Sequence, residues 1–318
     1  MTTITLRPAL PESDFALLAE LFTLVQDGQT TEADLHEDYR SGRERIFSLQ
    51  IAEDARGERM GFSWASRSRN HPERGYFYVI VRPDYRGRGA GSCLLEDVER
   101  AARDSGLARI GAEVRDSEPG WVGFARKRGY AERSHRIGMT LDLSNFDERP
   151  YNALVEALKA QGYRFTTMHE LDNTEAAQRR LYALNDTAAA ETPGADGEHP
   201  WASFEDFQKG VCQSDWYIPE AQFIVINNTT GDWASMSAIT RFQGTDYAYN
   251  LFTGTDSRYR GRKLAQAVKG LALQYARANL AVREVRTHHM AVNAPMIAID
   301  RKMGYVQTAG YMWMEKDL

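Results

Sequence analysis

A short phrase rich in glycine and arginine occurs twice in the chain and constrains the fold more strongly than any other feature. The first copy spans residues 81–91 and the second spans residues 255–265, with Tyr85 and Tyr259 at matching positions. Each copy follows a β-favouring apolar run and precedes a helical pattern. Strand, glycine-rich turn and helix together direct backbone N–H groups and the positive end of a helix dipole at one point, which suits a phosphate. The repeat predicts two copies of one phosphate-binding domain, with a plain tight turn as the alternative.

The residues around the two loops point to a family. Arg86-Gly87-Arg88-Gly89-Ala90-Gly91 fits the pattern Arg/Gln-x-x-Gly-x-Gly/Ala, and Pro83 and Tyr85 precede it. A Gly129-Tyr130 pair ends a later helix, and Gly304-Tyr305 stands at the same place in the second copy. In these features the chain resembles the GNAT superfamily of N-acetyltransferases, in the tandem form that has two domains in one chain. The resemblance covers nearly the whole sequence.

The resemblance implies an α/β fold (an α+β mixed sheet), with two tandem acyl-CoA N-acyltransferase domains whose central mixed β-sheets are flanked by helices. A polar connection over residues 142–150 suggests the boundary, so we predict an N-terminal domain over residues 1–145 and a C-terminal domain over residues 146–318. Strands within residues 132–143 are expected to complete the first domain. The residues by themselves indicate only a mixed α/β domain.

The family grips the pyrophosphate of acetyl-CoA at this loop, so the resemblance implies acetyl-CoA as the co-substrate. In the second copy Lys263 occupies a position that is usually glycine; it adds a cation, and we expect the tight turn to survive only if residue 263 adopts a negative φ. The cofactor-binding residues implied in the two copies are Val79, Ile80, Val81, Arg86, Gly87, Arg88, Gly89, Ala90, Gly91, Phe252, Thr253, Thr255, Arg260, Gly261, Arg262, Lys263, Leu264, Ala265 and Asn293.

The proton-transfer residues of the family are missing from both copies. The position of its glutamate base holds Gly75 in the first copy and Tyr249 in the second, and the position of its tyrosine acid holds Ala125 and Asp300. Histidine has the intrinsic pKa to deprotonate an amine near neutral pH. We therefore predict His288, His289 and Tyr249 as catalytic residues, with packing or solvated histidines as the alternative.

Two functions from different classes fit the sequence. The first is direct transfer of an acetyl group from acetyl-CoA to the amine of a small-molecule acceptor, with the C-terminal domain catalytic and the N-terminal domain cofactor-binding or structural. The second is a non-catalytic tandem module that binds acyl-CoA and senses it. Loss of the usual acid and base favours the second function. Release of CoA from acetyl-CoA in the presence of amines distinguishes them.

Composition limits the partners. The formal net charge of −5 argues against general nucleic-acid binding, which usually needs a basic excess. Two cysteines, Cys93 and Cys212, are too few for a disulfide framework or a closed zinc site, and we predict no metal. No apolar run is long enough for a membrane span, so we expect a cytoplasmic protein without membrane partners. We expect it to be a monomer or a homodimer.

The acceptor site is predicted only in outline. A proline- and glycine-containing loop over residues 191–201 is placed where the family borders its acceptor, although a solvated connection is equally consistent with the sequence. Trp201, Trp216, Tyr217 and Phe252 are candidates for an aromatic pocket, and they also suit an ordinary α/β core. Sequence alone does not identify the acceptor.

Overall fold

The structure is a computed structural model that describes residues 3–26, 28–69, 71–195, 197 and 199–318. Of the predicted loop over residues 191–201, Asp196 and Glu198 lie outside the described part. The chain divides into two compact units. The first comprises Met1–Ser134 together with Tyr311–Leu318, and the second comprises His135–Gly310.

Helices and strands follow one another in a similar order in the two halves of the chain. The helices of the described residues are α1 (Pro11–Val25), α2 (Glu32–Gly42), α3 (Ala90–Asp104), α4 (Pro119–Arg126), α5 (Arg149–Ala160), α6 (Glu175–Ala190), α7 (Phe204–Phe207), α8 (Leu264–Asn279) and α9 (Ala294–Met303). The strands are β1 (Ile4–Pro8), β2 (Ile46–Asp54), β3 (Arg59–Arg67), β4 (Arg74–Val81), β5 (Arg109–Arg115), β6 (Ala131–Asp142), β7 (Tyr163–Thr167), β8 (Gln222–Asn227), β9 (Trp233–Thr240), β10 (Tyr247–Thr255), β11 (Glu284–Met290) and β12 (Val306–Asp317).

The first unit is a mixed sheet with helices on both faces. Its strands lie in the order β1-β2-β3-β4-β5-β12, and β4 runs parallel to β5 within an otherwise antiparallel arrangement. Successive side chains of a strand point to opposite faces of the sheet. Accordingly Ile80 packs in the cluster formed by α1, whereas Val79 and Val81 pack against the cluster formed by α3. The two helices therefore cover opposite faces of one sheet.

The second unit repeats this plan. Its strands lie in the order β6-β11-β10-β9-β8-β7, with β10 parallel to β11. On β8, Ile224 and Ile226 pack with the cluster of α6, and Val225 between them packs with the cluster of α8. The predicted class, a mixed α/β fold with sheets flanked by helices, is confirmed.

The last strand of each half corrects one expectation. The strand predicted within residues 132–143 to complete the first domain is β6, whose residues 136–142 pair antiparallel with residues 284–290 in the second unit. The first unit is completed by residues 311–317 of β12, which pair with residues 109–115 of β5. The division into compact units thus differs from the predicted boundary at residues 145 and 146. The reason is that apolar alternation marks a strand without specifying which sheet edge it joins.

Among the described residues, none of the helices combines the length and the apolar character that crossing a bilayer requires.

Candidate active site

The loop of the first unit forms an open turn at the start of α3. Gly87 has φ 75° and Gly89, the residue that caps α3, has φ 101°; both values lie in the left-handed region that favours glycine. A Cβ added at Gly87 would meet no atom within 4 Å, so the backbone there borders open space. The Arg86 guanidinium lies 5.4 Å from the centre of the Trp121 ring, and the loop is rich in exposed positive charge.

The second loop keeps the same shape with a different residue. Gly261 has φ 78° with open space beside it, and Lys263, which caps α8, has φ 64° and ψ 16°. The expectation that this turn needs a negative φ at residue 263 is wrong. The exposed lysine takes the left-handed conformation that Gly89 takes in the first loop, at a steric cost of about 1–2 kcal/mol. The fold around the turn imposes this conformation on the lysine.

The signature arginine of the second loop has an acidic partner. Arg260 donates from Nε to the Thr255 carbonyl over 3.2 Å, as Arg86 does to Val81, and its Nη2 lies 2.5 Å from the Glu191 carboxylate. The Ser257 hydroxyl also donates to Glu191 over 3.3 Å. Glu191 therefore neutralises part of the charge that this loop offers to a phosphate.

Both central strand pairs open in the middle of the sheet. β4 and β5 pair over three positions only, ending at Tyr76 and Gly111, and β10 and β11 end their pairing at Tyr249 and Arg286. Beyond these residues the parallel strands separate and leave their facing backbone groups outside the ladder. An extended chain can occupy such an opening by pairing with the strand backbone.

The central strand of the second unit contains a bulge that its counterpart lacks. β10 shifts its register against β9 between Asn250 and Phe252, so that Leu251 is an additional residue. In contrast, β4 pairs with β3 residue by residue from Gly75 to Val81. A bulge removes backbone groups from the ladder and re-aims them. It lies immediately after the point at which β10 and β11 separate.

Two of the three predicted catalytic residues meet at this opening. The Tyr249 hydroxyl lies 2.9 Å from His288 Nδ1, and the two rings are stacked with centres 5.9 Å apart. Tyr249 pairs with Thr240 of β9 and with Arg286 of β11. By strand alternation, Tyr249 and His288 therefore face the side of the sheet that α6 covers.

His289 points to the opposite face and belongs to a buried ionic cluster. Its Nε2 lies 2.7 Å from Asp300 Oδ2, and the other Asp300 oxygen bonds Lys269 of α8. The side chains of Lys269 and Asp300 are 1% and 0% exposed. The Lys269 ammonium also lies 4.9 Å from the centre of the Tyr305 ring. The structure thus separates His289 from His288 and Tyr249.

The ionisation of this cluster follows from its contacts. Burial alone would raise the pKa of Asp300, but the charge of Lys269 and the hydrogen bond from His289 outweigh it and hold that pKa below its usual value. Burial lowers the pKa of Lys269, and Asp300 offsets part of this effect. Asp300, which stands at the acid position of the family, is thus a buried carboxylate that holds a lysine.

The base and acid positions of the first unit serve packing. A Cβ at Gly75 would lie within 3.2 Å of Leu107, Phe47 and Ile110, which leaves no room for a glutamate side chain. Ala125 is buried in the core beside α3. The first unit therefore lacks the proton-transfer groups of the family at these positions, as the sequence predicts, and Gly75 has no space for one.

An apolar pocket lies beside the opening in the second unit. It has a volume of about 270 Å³ and is bounded by α6, the residues before and after α7, and strands β8 to β10. Three of the four aromatic candidates line it, namely Trp201, Trp216 and Phe252, and so does the bulge residue Leu251. Tyr217 is turned elsewhere and donates its hydroxyl hydrogen to Asn173 over 3.0 Å.

Sequence reasoning missed two polar residues of this pocket, Asn185 and Gln222. Asn185 lies one turn after Leu181 on the buried stripe of α6, so helical periodicity contained a signal for it. Gln222 begins a strand, and nothing in its neighbourhood marked it.

The other predicted cofactor-binding residues lie in the core, at a helix cap, or on the strands and loops of the two units. Ala90 and Leu264 are core residues that offer only their backbone, and Asn293 caps α9 by accepting from the Met296 N–H over 3.4 Å. Thr253 and Thr255 bond serines of β9. The remaining members lie on the strands and loops described above, where the sequence placed them: Val79, Ile80, Val81, Arg86, Arg88, Gly91, Phe252, Arg260, Arg262 and Ala265.

Comparison with known proteins agrees with this geometry. The model of the acetyltransferase (GNAT) family matches residues 15–130. A GCN5-related N-acetyltransferase from Sphaerobacter thermophilus superposes with a TM-score of 0.71 at 18% identity, covering 99% of this chain and 95% of that one. A tandem GNAT protein from the clavulanic acid biosynthesis pathway gives a TM-score of 0.69 at 18% identity, covering 99% and 98%. The two structures establish the tandem GNAT fold.

Residues 15–130 match the GNAT family of acetyltransferases, in agreement with the resemblance found in the sequence. The matched family is one of acetyltransferases, and the open glycines and arginines of both loops suit the pyrophosphate of acetyl-CoA. Over 313 residues the chain is 26% identical to a mycothiol acetyltransferase from Acidothermus cellulolyticus, covering 91% of this chain and 88% of the relative.

Proposed function

We propose that the second unit catalyses acetyl transfer to the amine of a small-molecule acceptor, and that the first unit binds acetyl-CoA or is structural. The observation that carries this proposal is the Tyr249–His288 pair, which stands where β10 and β11 separate, beside the bulge at Leu251. The equivalent part of the first unit has an unbroken β4 ladder and a tightly enclosed Gly75.

His288 is proposed to accept a proton from the ammonium group of the acceptor, which leaves the neutral amine as the nucleophile. Imidazole is the side chain suited to proton transfer near neutral pH, and an oriented base of this kind contributes about 10²–10⁴-fold to a rate. Tyr249 orients the ring through Nδ1. Acetyl-CoA supplies the activated acyl group when bound. Backbone N–H groups that the bulge at Leu251 takes out of the ladder are proposed to stabilise negative charge on an oxygen in the opening.

Turnover of histidine variants tests this assignment. We expect His288→Ala to lower kcat by about 10²–10⁴-fold, with acetyl-CoA affinity preserved. His169→Ala is the matched control, because His169 is an exposed histidine of the same unit that pairs with Glu220. Wild-type turnover in His288→Ala would remove His288 from the mechanism. His289→Ala tests the other histidine predicted to be catalytic. Because His289 bonds Asp300 in the buried cluster, we expect this variant to lose stability and to keep its kcat.

Calorimetry with acetyl-CoA on two matched variants, Gly87→Glu and Gly261→Glu, tests which unit binds the co-substrate. The two glycines have φ values of 75° and 78°, and each borders open space, so both substitutions place a carboxylate in the phosphate site at the same backbone strain. Loss of the only binding site in Gly261→Glu, with Gly87→Glu unchanged, agrees with a structural first unit. Two sites, each lost with its own substitution, agree with a cofactor-binding first unit. A single site lost only in Gly87→Glu contradicts the proposal.

A second candidate function is binding of acyl-CoA without catalysis. Neither unit has a glutamate at the base position of the family or a tyrosine at its acid position, which favours a tandem module that binds acyl-CoA without turnover. The two functions separate in one assay, because only an enzyme releases CoA steadily from acetyl-CoA when amines are supplied.

A further inference from the structure

The pocket of the second unit has an unusually uniform lining. Apart from the amides of Asn185 and Gln222, its walls are formed by indole, phenyl and aliphatic groups, and among the described residues that line it there is no charged side chain. Its volume of about 270 Å³ exceeds the roughly 150 Å³ cavity that holds a benzene molecule. A site of this composition binds an apolar body of one or two rings and rejects a body with many hydroxyl or charged groups, which would lose their water without replacement.

One polar group in the wall lacks a partner. Gln222 is 2% exposed and lines the pocket, and its Nε2 has no hydrogen-bond partner among the described residues. Buried amides are normally hydrogen-bonded, so an unpartnered one beside a cavity marks a place for a ligand oxygen. Asn185, the other amide of the wall, is already used, because its Oδ1 accepts from the Trp201 indole over 3.0 Å. This bond fixes Trp201 as a rigid wall.

The pocket is joined to the proposed chemistry. Leu251 and Phe252 form part of its wall, and they belong to the bulged segment of β10 just past the separation from β11. Trp216 lies at the other side, and its ring is linked through Phe242 to Tyr249 by edge and tilted ring contacts at 6.3 Å and 5.9 Å. A body held in the pocket therefore lies against the strand segment at which the proposed reaction takes place.

We infer that the acceptor is an amine carried on an uncharged, predominantly apolar body, of aromatic or branched aliphatic type, with a carbonyl oxygen that accepts a hydrogen bond from the Gln222 amide. The inference rests on the proposed function of the second unit and adds the class of its substrate. It excludes polyhydroxylated acceptors, whose hydroxyl groups would lose their water in this pocket. Gln222 is the specificity-determining residue.

Three probes of graded chemistry test the inference: L-phenylalaninamide, 2-phenylethylamine, which lacks the carbonyl, and D-glucosamine, which is polar. Binding to the full chain is followed without acetyl-CoA by calorimetry and by tryptophan fluorescence, since two tryptophans line the pocket. We expect L-phenylalaninamide to bind more tightly than D-glucosamine by at least tenfold. Gln222→Leu is expected to weaken L-phenylalaninamide about tenfold and to leave 2-phenylethylamine within about threefold.

A filling variant locates the binding. Ala189→Phe places a phenyl group in the pocket from α6, and Ala183→Phe makes the same change at an exposed position of that helix. We expect the first to abolish binding of L-phenylalaninamide and the second to have no effect. Equal binding of D-glucosamine, or unchanged binding in Ala189→Phe, overturns the inference. If the apolar amines bind as expected but acetyl-CoA is not consumed, the proposed catalysis fails and the ligand class stands. If D-glucosamine is acetylated and the apolar amines do not bind, the ligand class fails and the catalysis stands.

Discussion

The buried Lys269–Asp300 pair allows a stability prediction with a defined magnitude. Lys269 lies on α8 and Asp300 on α9, both side chains are almost fully buried, and Asp300 also bonds His289. Lys269→Met keeps the length and most of the volume of the side chain, so the cavity it leaves is small. Its main effect is to remove the positive charge that holds Asp300 ionised.

An unpaired charge in the interior is costly. Removing one partner of a buried ion pair destabilises a protein by about 3–5 kcal/mol, because the remaining charge has neither water nor a counter-charge. His289 remains beside Asp300, which places the expected loss toward the lower end of that range. For a unit of this size a loss of about 3 kcal/mol corresponds to a decrease in Tm of roughly 6–12 °C.

Thermal unfolding of the full chain, followed by circular dichroism, measures this effect. Lys159→Met is the matched control, since Lys159 forms an exposed pair with Glu156 and such pairs contribute about 1 kcal/mol or less. The double variant Lys269→Met/Asp300→Leu is expected to recover most of the lost stability by replacing the pair with apolar groups. If Lys269→Met unfolds at the same temperature as Lys159→Met, or if the double variant is less stable than the single one, the electrostatic reasoning is refuted.

Three further changes have directions that follow from single contacts. Glu191→Gln removes the carboxylate that competes for Arg260, so acetyl-CoA should bind the second unit about three- to tenfold more tightly in calorimetry; unchanged affinity would show that Glu191 does not compete. Lys263→Gly relieves the strain of the left-handed conformation and should raise the free energy of unfolding by up to about 1 kcal/mol. The same substitution removes a cation and should weaken acetyl-CoA binding. A decrease in stability would contradict the strain argument. Burial alone would raise the pKa of Asp14, but the hydrogen bond from Arg7 and its other contacts outweigh burial and lower that pKa. The stabilisation is then complete above the ordinary carboxyl pKa near 4 and is lost as the pH falls through the lower folded value, so Asp14→Asn should flatten the acid limb of a stability–pH curve.

Much of the architecture was predictable because its causes are local. The turn residues 86–91 and their repeat, the strand that enters each loop and the helix that leaves it are specified by glycine conformation and by apolar periodicity over a few residues. The same local signals carry the resemblance to the GNAT family, and that resemblance predicts acetyl-CoA binding at the loop. The aromatic pocket was predictable in part. Large apolar residues near a loop favour a cavity, but the sequence does not show which of these residues line the cavity.

The rest depends on contacts between residues far apart in the sequence. Adjacent histidines on a strand point to opposite faces, so only the sheet decides that His288 meets Tyr249 while His289 meets Asp300. The pairing of a lysine on one helix with a carboxylate on the next depends on how the two helices pack on the sheet, and no pattern in the chain marks it.

The sequence by itself determined the two glycine-rich loops, the strand before and the helix after each loop, and the resemblance to the GNAT family, since each follows from short-range geometry and residue type. Tertiary structure decided which sheet β6 and β12 complete, held Lys263 in a left-handed turn, and left the Gln222 amide buried beside an apolar pocket. These features arise from strand register and packing, because they depend on contacts with residues that are distant in the sequence.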